Sequence, residues 1–225
     1  MSRDESEMQE ASPGIEVVRL PGLVPYAEGL RLLDERRAGV ERGDDPNTLY
    51  LLQHPPTITL GRSTHVENLL RTPGQLAGLG IDVCESDRGG DVTYHGPGQL
   101  IAYPVLDLRH WRTSIRWYLR ALEEVLIRQL ARYGLDAARL EGYTGVWVGD
   151  AKVAAIGITL HNWVTGHGVA LNVAPDMRHF EVIVPCGIVD KPITSLERLL
   201  GRAPAMDQVM DDFTLEFLAR FAQGA

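Results

Sequence analysis

The sequence predicts a mixed α/β fold, a sheet of short strands with helices packed on its faces. Three observations carry this. At 225 residues and 44% apolar content the chain can build one sizeable core. Its β-branched runs are short and end at Gly, Pro or Asp. Two long segments, one central and one at the end, repeat apolar residues at three- and four-residue steps. Strands and helices do not alternate strictly, which disfavours a parallel doubly wound sheet.

Taken in order, residues 1–14 are polar and acidic and read as a flexible tail, with a single catalytic-sized domain over 15–225. Ile15 to Leu20 reads as a strand. Pro25 opens a helix with Ala27, Leu30, Leu33 and Ala38 on one face and a charged outer face from Arg31 to Arg37. Residues 43–47 form a loop. Thr48 to Gln53 and Thr57 to Leu60 are strands separated by Pro55-Pro56. Thr113 caps a long helix carrying Ile115, Leu119, Leu122, Leu126, Leu130 and Tyr133, and Gly134 ends it. Gly149-Asp150, between two apolar runs, signals a two-residue hairpin turn. Phe180 to Val184 reads as a strand stopped by Pro185. Thr194-Ser-Leu-Glu197 reads as a capping box for a short helix ending near Gly201. The last helix, Met206 to Ala222, is expected to bury Met206, Val209, Met210, Phe213, Phe217 and Phe221.

The net charge of −8 argues against general nucleic-acid binding, which needs a broad basic surface. No stretch approaches eighteen apolar residues, so no membrane span is expected. The N-terminal segment has no apolar region of the kind that directs secretion. A cytoplasmic location follows as the expectation, with the two cysteines, Cys84 and Cys186, reduced. The seven histidines show no HxxxH or HExxH spacing, so no metal site is expected.

Three places carry candidate chemistry. Arg88-Gly-Gly-Asp-Val-Thr-Tyr-His-Gly-Pro-Gly-Gln99 packs four glycines into twelve positions. It lacks the Gly-Lys-Ser/Thr of a phosphate loop. It reads equally as a ligand loop or as two turns around a strand from Asp91 to His95. Cys186 follows an apolar run between Pro185 and Gly187. A lone cysteine is by default a small buried hydrophobe, but these neighbours put it at the end of an element with space beside it. Cys84, in the alternating run Ile81 to Cys84, reads as structural. Lys152 would by default be an exposed strand residue. Its small apolar neighbours suggest partial burial instead, which calls for an anionic partner, and a thiolate would serve. His95 and His167, each beside glycine, are candidates to line a pocket.

Together these segments resemble the lipoyl(octanoyl) transferase family of lipoate biosynthesis. The matching runs, in the family's order, are His54 to Arg62, Arg88 to Leu100, Gly145-Val-Trp147, Lys152 to Gly157, Gly166 to Asn172, Val184 to Ile188 and Ile193-Thr-Ser195. The resemblance implies the biotin/lipoate protein ligase catalytic-domain fold. It implies transfer of octanoyl from acyl carrier protein to a lysine of lipoyl domains, those of 2-oxoacid dehydrogenase complexes and the glycine cleavage H protein. It puts the nucleophile on Cys186, and on Lys152 the cation that lowers the thiol pKa. It puts substrate binding on Arg88, Gly89, Gly90, Asp91, Val92, Thr93, Tyr94 and His95, on Ala155, Ile156 and Gly157, and on Gly168, Val169 and Ala170. The donor acyl group rides the phosphopantetheine arm of the carrier, so no ATP, cofactor or metal is implied. The nearest rivals are an ATP-dependent ligase on the same fold and an amidotransferase sharing the cysteine chemistry.

The chemistry suits the residue types. A free thiol with a pKa of about 8.5 is only ~3% thiolate at pH 7. A cation that lowers it by ~2 units raises this to roughly 75%. Amides near Cys186 and Gly187, or in the Gly89-Gly90 region, are the expected oxyanion donors.

Overall fold

The computed structural model describes residues 14–188 and 191–222, apart from the side chain of Cys186. The expected tail, up to residue 13, lies outside the described residues. The described residues open with a βα unit. β1 (Ile15–Leu23) runs parallel to β2 (Asn47–Gln53), and α1 (Tyr26–Arg42) crosses between them. There follow β3 (Thr57–Leu60), α2 (Pro73–Gly78), β4 (Asp82–Glu85), β5 (Thr93–His95) and β6 (Gln99–Val105). Next come α3 (Ile115–Arg132), β7 (Ala137–Ala138), β8 (Val146–Val148), β9 (Ala151–His161) and β10 (Val164–Asn172). α4 (Leu196–Leu200) and α5 (Met206–Phe221) complete the described order.

Among the described residues the strands form two sheets. The larger has the order β1-β2-β6-β10-β9-β8-β7, and all its pairs except β1·β2 are antiparallel. The smaller has the order β4-β3-β5. Side-chain alternation sorts the larger sheet's two faces. Leu49, Leu51, Leu100, Ala102 and Leu171 pack against Leu122, Leu126, Phe213 and Phe217 of α3 and α5. Tyr50, Leu52, Ile101, Tyr103 and Val105 face the other way, toward Leu33 and Val40 of α1. Each such buried Leu or Phe contributes about 1.5–3 kcal/mol. The smaller sheet has its own core of Ile58, Ile81, Val92, Tyr94, Phe180 and Ile183.

The mixed α/β class predicted from sequence is the observed one, and the Gly149-Asp150 hairpin forms as expected, with Val148 opposite Ala151. Several local expectations shift. Ala27 and Ala38 are exposed. The buried face of α1 is Tyr26, Gly29, Leu33 and Val40, one step round the helix. α3 is capped by Ser114, which accepts from the Trp117 amide, and Ile115 is 49% exposed just inside that cap. α4 is capped by Ser195 rather than Thr194. Phe180 to Val184 is not a strand. Asp176 accepts from the Arg178 amide and starts a 3-10 turn over Met177–Val182, whose apolar residues fill the smaller sheet's core. Pro185–Gly187 is a second 3-10 turn, so Cys186 lies in a turn between irregular segments rather than at a strand end.

Candidate active site

The floor of the site comes from β9 and β10. Cross-strand pairs Gly157↔Gly168 and Ala155↔Ala170 set four of the smallest residues side by side. Bulk here is refused on one side by the sheet itself. A Cβ on Gly168 would collide with the Ala102 carbonyl of β6, and one on Gly157 would stand 3.1 Å from the Gly89 carbonyl. The result is a groove that Arg88 to Asp91, Thr93, His95, Tyr103, Ala155 to Gly157 and His167 to Ala170 line as one cavity. The expected binding segments thus meet around one space, although Val92 and Tyr94 point into the core of the smaller sheet instead.

The loop between β4 and β5 is held over this groove at the free edge of β9. β8 pairs only with Ala151 to Ala154. Beyond that pairing, the Gly89 amide donates to the Ile158 carbonyl at 3.0 Å. Arg88, 7% exposed, donates to the Thr59 carbonyl at 2.7 Å and its hydroxyl at 2.8 Å. It therefore ties the loop to β3 and does not serve as a surface cation. Asp91 accepts from the Val92 amide at 2.7 Å, the His65 amide at 3.2 Å and Asn68 Nδ2 at 2.5 Å. Its carboxylate also borders Gly187, whose φ of +67° suits glycine.

Lys152 is 6% exposed, not the solvated strand residue that its type suggests. The reason is a β-bulge. Val146 pairs with Ala154 but Trp147 pairs with Lys152, so β9 carries one extra residue. Val153 and Ala154 both enter the α3-side core, which strict alternation forbids. Lys152 is turned instead into a cavity with Gly89 to Asp91, Tyr143, Ile156, Gly157, Gly187 and Ile188. This cavity shares Gly89, Gly90, Asp91, Ile156 and Gly157 with the groove, so the two adjoin. The Cys186 side chain lies outside the described residues. Its two described neighbours on the C-terminal side, Gly187 and Ile188, line the Lys152 cavity.

At the far end of the groove stands a histidine and tyrosine group. His54, fully buried, donates from Nδ1 to the Val24 carbonyl at 2.6 Å. A carbonyl only accepts, so Nε2 accepts from the Tyr103 hydroxyl at 2.9 Å. Burial pushes His54 down to about 4. His95 contacts Gln99 Oε1 through Nδ1 at 2.8 Å, and burial and then His54 hold it well below the usual histidine range. Gln99 continues to Asn172 Oδ1 at 2.9 Å, and Asn172 to the Thr194 carbonyl at 3.0 Å. His167 lines the groove and pairs with Asp87 at 2.7 Å. Tyr103 escaped the sequence reading, and His54, Gln99 and Asn172 lay in segments singled out there without being given a role of their own. The signal present was His54 wedged between a strand and Pro55-Pro56. Cys84 sits half-buried on β4, its thiol pushed up by burial and then by Asp82, an inert setting for a nucleophile.

No helix among the described residues is long and apolar enough to cross a membrane. Residues 25–218 match the lipoyl protein ligase A/B catalytic domain family. An octanoyltransferase of Solibacter usitatus is 48% identical over 91% of this chain and 92% of its own length. One from Chloroflexus aggregans is 50% identical over 85% of this chain and 86% of its own. Among solved structures, lipoate-protein ligase A bound with ATP superposes with a TM-score of 0.71 over 93% of this chain and 85% of the ligase, at 16% identity. At that identity the likeness speaks for the fold alone.

Proposed function

The chain belongs to the lipoyl protein ligase A/B catalytic domain family, among its octanoyltransferases, and from that premise we propose how it moves the acyl group. It is an acyltransferase of protein lipoylation. In our reading Cys186 is the nucleophile and Lys152 its charge partner. The observation that carries this is one cavity lined by buried Lys152 and by the Gly187-Ile188 backbone next to Cys186, adjoining a groove floored by small residues.

The donor is octanoyl on the phosphopantetheine thiol of acyl carrier protein. The Cys186 thiolate attacks the thioester carbonyl, the carbon–sulfur bond to the carrier breaks, and the leaving thiolate takes a proton from the Lys152 ammonium. Thioester replaces thioester, so this step is near neutral in free energy and needs no ATP. A lysine amine of a lipoyl domain then attacks the acyl-enzyme. Lys152, now neutral, accepts the amine's proton, the amide forms and the Cys186 thiolate leaves. The groove between β9 and β10 holds the octanoyl chain, with Arg88 to Asp91 as its cover.

For the oxyanion, two expected donors are already engaged. The Gly89 amide bonds to Ile158 and the Gly187 amide to the Val184 carbonyl. Gly90, at φ +90° and with its carbonyl held by the Ser63 amide, is the donor this leaves in the glycine loop. Acceptors are the lipoyl domains of 2-oxoacid dehydrogenase complexes and the glycine cleavage H protein, and the site of action is the cytoplasm.

Purified protein mixed with octanoyl carrier protein and an apo lipoyl domain should octanoylate the domain without ATP. Cys186→Ala should lose transfer by more than a thousandfold, about 4 kcal/mol of transition-state stabilisation. Transfer that demands ATP, or that survives Cys186→Ala, would overturn the reading.

A further inference from the structure

Gly145-Val-Trp147 stands out in the sequence, yet the transfer chemistry gives it no task. The fold wraps it around Lys152. Strand pairing sets Trp147 opposite Lys152, with Nζ 5.6 Å from the indole ring. That is within the range where a ring face attracts a cation. Trp147 is 2% exposed, and the Tyr143 ring rests against it at 5.6 Å. Gly145, at φ +120°, passes β9 so closely that a Cβ there would stand 2.6 Å from the Ala154 carbonyl and 2.7 Å from Lys152 Cε.

Gly145 is held in turn. Its amide donates to Glu123 Oε1 at 3.3 Å, and the other Glu123 oxygen takes Arg120 at 2.7 Å and Arg139 at 2.8 Å. Glu123 is 2% exposed on a helix face given mostly to core packing, so its burial makes sense as an anchor. The Lys152 backbone is fixed from the far side, its amide donating to Pro192 and its carbonyl accepting from Thr194, both at 2.9 Å.

We infer that Trp147 is a positioning residue for Lys152, holding the ammonium against the ring face at the place where Gly145 leaves the stem its path. This rests on the Cys186–Lys152 reading. A Trp147 that merely filled the core would change stability without changing the cysteine's titration.

The test uses the full chain in a Cys84→Ser background, so that alkylation reports Cys186 alone. Alkylation rate is followed against pH for the otherwise unchanged protein, Lys152→Met, Trp147→Phe and Trp147→Leu, with circular dichroism as the check on folding. Lys152→Met should move the thiol titration to higher pH. Trp147→Leu should move it at least half as far, while Trp147→Phe, which keeps a ring face, stays near the parent. A folded Trp147→Leu with the parent profile overturns the inference. If that variant does not fold, the parent protein decides by NMR. The Lys152 ε-methylene signals, assigned by their loss in Lys152→Met, should be ring-shifted upfield, and unshifted signals overturn the inference. A parent-like profile in Lys152→Met would instead sink the dyad, a separate failure.

Discussion

Lysine resists burial, so a lysine at 6% exposure states something about its surroundings. Sequence hinted at this only through the small residues after Lys152. It had no means of showing the bulge at Val153, because a bulge is a property of two strands and not of one. His54 was equally opaque. It read as one of several histidines without a ligand pattern, and the structure makes it the fully buried brace behind Tyr103. Its depressed titration has a consequence for stability. Unfolded, the ring takes its proton near pH 6.5, whereas folded it does so only near pH 4. Between these values the unfolded chain binds more protons, so stability falls as pH falls, by up to about 1.4 kcal/mol per pH unit for this one group. His95 acts in the same direction. Urea titrations at pH 7 and pH 5 should therefore show less acid sensitivity for His54→Gln than for the parent. Equal pH dependence in the two would contradict the assignment.

Elements were legible where local chemistry decides them. Thr57 to Leu60 has the predicted bounds, and the hairpin turn at Gly149-Asp150 is where its residues put it. Phe180 to Val184 failed because its apolar residues serve the smaller sheet's core from a 3-10 turn, which spacing alone cannot distinguish from a strand. The paired floor of β9 and β10 was visible as small residues but not as a shared groove, since register is needed to set Ala155 beside Ala170. That floor carries a prediction about substrate. Ala155→Leu fills the groove, with a destabilisation of about 1–3 kcal/mol from overpacking. Octanoyl transfer should drop by about tenfold or more, while transfer from a butyryl donor, measured alongside, drops less. An equal loss on both donors would mean that the chain lies elsewhere.

At the scale of the molecule, the mixed class and the long helices α1, α3 and α5 were readable from periodicity, whereas α2, a single turn over Pro73–Gly78, was too short to show any. The division into two sheets was not, because β3, β4 and β5 resemble the larger sheet's strands in composition and differ only in their partners. That division matters for the site. The smaller sheet carries the glycine loop from its own core and lays it across the free edge of β9, so the cavity exists only where the two sheets meet. Two arginines flanking these elements do not present surface charge to a partner: Arg88 is bound to Thr59 inside, and Arg109 is paired with Asp107 at 2.6 Å. In the proposed reaction the acyl group rests covalently on Cys186 between donor and acceptor. Incubation with octanoyl carrier protein alone, followed by peptide mass spectrometry, tests it most directly. One octanoyl adduct, confined to the peptide containing Cys186 and discharged by added lipoyl domain, is the predicted result. An adduct on Cys84, or none while transfer proceeds, would contradict it.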